Sequence, residues 1–161
     1  MTEARVLVHA TSIALGRAAE PFGGRPDVGV LLIGESGTGK SDVALRLIAM
    51  GARLLSDDQT ALYAFEGHIY AEAPPTLSGL MEVRGLGIVT LNPAPPAPLV
   101  LAVQLELASD IPRMPDNASY KLPEALQSLP SLPLIVLHPF DASTPAKIVA
   151  AATAAAAGKF G

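Results

Sequence analysis

The sequence predicts an α/β fold, and three adjacent observations predict it. Residues 28–33, Val-Gly-Val-Leu-Leu-Ile, form an apolar run of strand length. The run Gly34-Glu35-Ser36-Gly37-Thr38-Gly39-Lys40-Ser41 follows without a gap. Residues 42–50 then carry Val43, Leu47 and Met50 at helical spacing. Strand, glycine-rich loop and helix in that order open a layered fold in which helices cover a sheet. The loop matches G-x-x-x-x-G-K-[ST] at every fixed position, the phosphate-binding pattern. Its glycines let backbone N–H groups converge on phosphate oxygens at the helix N-terminus. Lys40 is expected to reach the outer phosphates of a nucleotide, and the Ser41 hydroxyl to meet Mg²⁺. The bland alternative is a glycine-rich turn before an ordinary helix, and the flanking strand and helix argue against it.

The other elements follow in order. Residues 5–9 and 12–15 read as two strands. Pro21, Gly23, Gly24 and Pro26 make 18–27 a loop. Gly51 ends the helix, and residues 53–56 form a short strand that stops at Asp57-Asp58. Residues 60–65 and 68–71 alternate as a hairpin, with Glu66-Gly67 at its turn. Pro74-Pro75 begins an irregular stretch to Gly79, and residues 92–98 are a proline-rich, extended connector. Residues 99–107 are a strong strand, and 134–137 the last one. Between them, 109–133 is polar and punctuated by proline, and carries no clear period. An alanine-rich helix spans 144–157, with Pro145 in its first turn and Gly158 after it.

The 161 residues, 50% hydrophobic and 16% charged, suffice for one globular core. The formal charge is −4, from 11 basic and 15 acidic residues, and no Lys/Arg-rich run occurs. A nucleic-acid-binding surface, which needs clustered positive charge, is therefore not expected. The absence of cysteine rules out disulfides, cysteine-ligated zinc and thiol catalysis. No apolar run is long enough to span a bilayer, and the first residues lack a secretory pattern. A cytoplasmic enzyme with no membrane partner is the resulting expectation.

A phosphate loop does not choose a reaction. Asp57 and Asp58 lie 17 and 18 residues after Lys40, beyond the next strand. A crossover between parallel strands returns the chain to the edge of the sheet where ligands bind. One or both carboxylates would then hold Mg²⁺ or take a proton from an attacking hydroxyl. Neighbouring strand residues face opposite ways, so different roles are expected for the two; a solvated turn is the alternative. In Glu82-Val83-Arg84-Gly85-Leu86-Gly87, Glu82 would complete the metal shell and Arg84 would stabilise the transferred phosphoryl. Taken alone, that pair is commonplace on a surface. A lone histidine such as His9 is more often structural than catalytic.

These segments together resemble a known family. Gly-Glu-Ser-Gly-Thr-Gly-Lys-Ser-Asp (34–42), Leu-Leu-Ser-Asp-Asp (54–58), Ala-Pro-Pro-Thr-Leu-Ser-Gly-Leu (73–80) and Met-Glu-Val-Arg-Gly-Leu-Gly-Ile-Val (81–89) occur in that order. The series resembles the catalytic domain of HPr kinase/phosphorylase, strongly over 28–91. The resemblance implies an ATP- and Mg²⁺-dependent kinase that phosphorylates a serine of HPr, the phosphocarrier protein of the sugar phosphotransferase system, and reverses the modification with inorganic phosphate. It implies a P-loop kinase domain like the nucleotide-binding part of phosphoenolpyruvate carboxykinase. Residue by residue, it puts Lys40 on the phosphates and makes Ser41 and Glu82 metal ligands. It makes Asp58, favoured over Asp57 by its spacing from Lys40, the general base, and His9 the support for that aspartate. Longer members form oligomers, which raises a homo-oligomer as one state of this chain.

The departures carry expectations of their own. The N-terminal domain of longer members is missing, so residues 1–161 are expected to be one catalytic domain, as in the short members of some alphaproteobacteria. An insertion at 18–27 separates His9 from the loop. Lys121 stands about where the family has a catalytic arginine. The stretch 138–147, where longer members carry Pro-Gly-Arg-Asn, has no arginine. Lysine lacks the two-pronged phosphate grip of arginine, so the kinase direction is expected to outperform the reverse. The competing readings are a small-molecule kinase, against which the lack of an arginine-rich lid counts, and a nucleotide-sensing module without phosphotransfer.

Overall fold

The structure, a computed structural model, describes residues 4–107 and 118–159. In chain order the first elements are β1 (Val6–Val8), β2 (Thr11–Ala14), β3 (Gly29–Ile33), α1 (Lys40–Ala49) and β4 (Arg53–Ser56). Next come β5 (Thr60–Phe65), β6 (His68–Glu72), β7 (Leu80–Val83), β8 (Gly87–Thr90) and β9 (Ala97–Leu105). The chain continues through β10 (Ala118–Tyr120), β11 (Leu132–Leu137) and α2 (Thr144–Ala156). The mixed α/β architecture expected from the sequence is present.

The long strand β9 is the spine of the sheet. It pairs in parallel with β3 on one side and with β11 on the other, while its first residues pair antiparallel with β6. Beyond β3 come β2 and then β4, and beyond β6 come β5 and β1. The expected crossover needs a correction. β3 and β4 do run the same way, but they are not neighbours: β2 lies between them, antiparallel to both. The loop after β3 and the acids after β4 still emerge at one edge of the sheet, and the segment next to β2 joins them there.

Both faces of the central strands are buried, which is why β3 reads as an unbroken apolar run. Val30 and Leu32 join Val43, Ala44 and Leu47 of α1 and Ile148, Val149 and Ala152 of α2 in one core. Leu31 faces the other core, with Leu55, Leu62, Ile69 and Leu99. In α1 the buried face is Val43, Ala44 and Leu47; Met50, expected on it, is 39% exposed just past the helix end.

Other readings are also refined. The stretch expected to be a loop at 18–27 includes most of a 3-10 helix, Gly16–Phe22, which buries Ala18 and Ala19 against the core. Residues 80–90, not read as strands, form the β7–β8 hairpin. The last strand begins two residues early, with Pro133 inside it; pairing with β9 starts only at Leu134, so the missing N–H breaks no bond to that strand. The unread stretch 109–133 falls partly on residues 108–117, which lie outside the described residues; its remainder holds β10 and a short 3-10 turn, Glu124–Leu126.

Gly51, expected to end the helix, does so at φ +111°, with its N–H on the Ile48 carbonyl at 2.9 Å and its own carbonyl accepting from Arg17 N–H at 3.0 Å. A Cβ there would stand 2.9 Å from Arg17 Cβ and 3.0 Å from Ala18 N. Gly51→Ala is therefore expected to lower unfolding free energy by about 1–3 kcal/mol. A urea titration should show a lower midpoint with an unchanged slope.

Candidate active site

The site is assembled at the sheet edge where β3 and β4 end. Residues 34–39 turn over the N-terminus of α1, with Gly37 and Gly39 at φ +86° and +99°. Thr38 closes the turn by donating its hydroxyl to the Glu35 carbonyl at 2.7 Å. Lys40 is only 6% exposed, and its Nζ donates to the carbonyls of Gly34 at 2.6 Å and Glu35 at 3.3 Å. The ammonium is thus held beneath the loop by the loop's own backbone. Ser36 and Glu35 face solvent, and Ser41 is half-buried in the first turn of the helix.

The two acids have different surroundings, as the sequence led one to expect. Asp57 is 7% exposed. Its Oδ1 accepts from the Ser41 hydroxyl at 2.7 Å and the Thr11 hydroxyl at 3.1 Å, and its Oδ2 accepts from Glu82 N–H at 3.1 Å. A buried carboxylate needs such donors, and here they come from α1, β2 and β7. Asp58 has a side chain 70% exposed, and its Oδ1 lies 2.8 Å from His9 Nε2. Its φ of +68° and the Gln59 N–H to Asp57 carbonyl bond of 2.8 Å form a three-residue turn of the rare positive-φ kind. That turn reverses the chain at once after β4 and swings the second carboxylate out while the first stays in.

Thr11 is the residue sequence reading missed. Fully buried, its hydroxyl donates to Asp57 and accepts the Asp58 N–H at 3.2 Å, so one oxygen fixes both acids. A threonine in a strand gives no sign of this from its neighbours in sequence; only the insertion of β2 between β3 and β4 creates the contact.

Glu82 reaches the site through its backbone. Its carboxylate and the Arg84 guanidinium are exposed, Arg84 lying in the turn between β7 and β8. Lys121 is not brought to this edge. It follows Tyr120, which pairs with Leu132 at the start of β11, whereas the 34–41 loop follows the end of a strand parallel to β11. The exposed Lys121 thus lies at the opposite edge of the sheet, and the expected arginine substitute contributes no charge here.

For a divalent cation, the structure offers the Ser41 hydroxyl and the Asp57 carboxylate side by side. Among the described residues no group of three or more His, Cys, Asp or Glu side chains forms a cage. A hydroxyl and one carboxylate suit Mg²⁺, a hard ion that keeps oxygen ligands from substrate phosphates and water. No described helix is long and apolar enough to cross a membrane.

Comparison with known proteins agrees with the resemblance read from the sequence. Residues 26–94 match the family model of the HPr Serine kinase C-terminal domain. The HPr kinase/phosphorylase of Lactiplantibacillus plantarum is 41% identical over 96 residues, which are 55% of this chain and 30% of that protein. The HPr kinase/phosphorylase of Clostridium tetani is 48% identical over 62 residues, 38% of this chain and 20% of that protein. These matches span between a fifth and a third of the length of the curated relatives. The solved structure of the HPr(Ser) kinase/phosphatase from Coxiella burnetii superposes with a TM-score of 0.69 at 20% identity, over 89% of this chain and 91% of that one. At that identity the likeness is one of fold, and it extends well beyond the matched segment.

Proposed function

We propose that this chain is an ATP- and Mg²⁺-dependent protein-serine kinase acting on an HPr-type phosphocarrier, and that its fold is a P-loop kinase domain resembling the nucleotide-binding part of phosphoenolpyruvate carboxykinase. One observation carries the reading. A continuous chain of contacts runs from the loop's Ser41 to Asp57, on to Thr11, to Asp58 and to His9. It links a phosphate-binding loop to an outward carboxylate within one short span.

In this reading the loop N–H groups and Lys40 hold the phosphates. Ser41 and Asp57 would hold Mg²⁺, and Glu82, whose own N–H donates to Asp57 at 3.1 Å, is the further candidate ligand; the ion would neutralise charge on the phosphate oxygens. Asp58 takes the proton of the serine hydroxyl as the serine oxygen bonds to the γ-phosphorus and the bond to the leaving ADP breaks. His9 fixes one oxygen of Asp58, leaving the other for the hydroxyl. Arg84, exposed in the turn between β7 and β8, would stabilise the transferred phosphoryl.

The exposure of Asp58 favours a protein acceptor over a metabolite in a closed pocket. So does the neighbouring hairpin, which presents Leu86 and Ile88, 75% and 72% exposed, as an apolar contact surface. The test is incubation with γ-labelled ATP, Mg²⁺ and purified HPr from the same cell, with phosphoserine mapped by mass spectrometry. Label on an HPr serine is the expected result. Nucleotide binding without label on HPr would favour the sensing module, and label on a metabolite in cell extract would favour the small-molecule kinase.

A further inference from the structure

We propose that Phe140 is the platform on which the purine base of the bound nucleotide stacks. The proposal rests on the nucleotide reading above and adds where the base lies. Phe140 sits in the turn between β11 and α2 and is 55% exposed. It is nonetheless tied down. Arg46 of α1 donates to the Asp141 carbonyl at 3.2 Å and to the Pro139 carbonyl, while its Nε holds Asp42 at 3.0 Å. The Phe140 N–H donates to His138 Nδ1 at 3.1 Å, and the two rings meet edge to face at 6.1 Å. An exposed apolar ring whose backbone is fixed at three points and whose edge meets His138 needs less ordering when a ligand binds.

Its position agrees with the direction of the nucleotide. A Cβ on Gly39 would lie 3.0 Å from Phe140 Cζ, so the ring abuts the last glycine of the loop. Along the sheet the order is β11, β9, β3, β2, β4, and the loop rises from the middle strand. The acids rise from β4 on one side. A γ-phosphoryl directed at Asp58 leaves the base end of the nucleotide pointing the other way, toward the turn after β11. Phe140 is the aromatic ring waiting there.

The experiment compares binding of Mg-ATP with binding of Mg-tripolyphosphate, which has the phosphates and no base. Phe140→Ala should weaken ATP binding about tenfold, within the range for base–aromatic stacking, and leave tripolyphosphate binding unchanged. The chain has no tryptophan, so Phe140→Trp places one indole reporter at the platform. Its fluorescence should be quenched by ATP and not by tripolyphosphate. Wild-type ATP affinity in Phe140→Ala, equal loss of both ligands, or an equal fluorescence response to both would overturn the platform. A wild-type protein that binds neither ligand would overturn the nucleotide reading itself.

Discussion

Asp58→Asn lowers the rate of phosphoryl transfer by about 10²–10⁴-fold, the usual contribution of a general base, while nucleotide affinity stays essentially unchanged. Asparagine is the substitution that isolates the chemistry. It tolerates the positive φ of +68° at this position, keeps the size of the side chain and still presents an oxygen to His9. It cannot accept the serine proton. Asp57→Asn behaves differently. Both oxygens of Asp57 accept, one from two hydroxyls and the other from Glu82 N–H. An amide oriented to keep the hydroxyls turns its NH₂ toward the Glu82 N–H, donor against donor, at about 1–3 kcal/mol. Asp57→Asn should therefore lower the unfolding midpoint and weaken Mg²⁺-dependent nucleotide binding. Single-turnover rates and calorimetric titrations with and without Mg²⁺, run on both variants, separate the two roles. Full transfer activity in Asp58→Asn would remove that residue from the chemistry.

Lys40→Ala brings productive ATP use to background. Loss of one well-placed donor to developing charge lowers rates by about 10²–10³-fold, and Lys40 is also expected to contribute to binding the phosphates. The folded core should persist, because among the described residues the ammonium hydrogen-bonds the carbonyls of Gly34 and Glu35 and pairs with no carboxylate. Those two contacts do pin the loop, so Lys40→Met, which retains the apolar stem, is the companion variant. Thermal unfolding close to wild type in Lys40→Met, together with loss of transfer, is the expected pair of results. Wild-type-like transfer in either variant would detach this loop from the reaction.

The parts of the molecule legible in the sequence were those set by local chemistry. The loop could be read because its turns need glycine where φ is positive, and a lysine and a hydroxyl where charge collects. The acids could be read because they close a strand. Their division of labour was anticipated only as a contrast between neighbours; the turn at Asp58 that produces it depends on Thr11, 47 residues away. Pairing over such distances leaves no periodic trace. The β7–β8 hairpin was missed although Met81 and Val83 are buried and Glu82 is exposed, because a four-residue strand flanked by glycines gives too short an alternation to stand out. Lys121 was misplaced for a related reason. Motif spacing locates a residue along the chain, and the direction of β10 then carries it to the far edge. Arg46 stands on a helix face four residues from Asp42, and nothing local signals its reach to the turn after β11, which is a tertiary contact.

The intercalated strand β2 has a consequence for how the molecule comes into being. The segment that carries the recognisable motifs, residues 26–94, includes neither β2 nor β9. Those are the two strands that flank β3. Cut out alone, the segment would leave β3 with both ladders unpaired and Asp57 without its Thr11 donor. The signature is therefore not an autonomous folding unit. During synthesis β2 leaves the ribosome first and can receive β3 and then β4, but the other edge of β3 stays open until β9 follows, more than sixty residues later. Closure of so distant a pair is slow relative to local helix formation. The site therefore gains its rigidity at the end of folding, when the spine of the sheet finally seats.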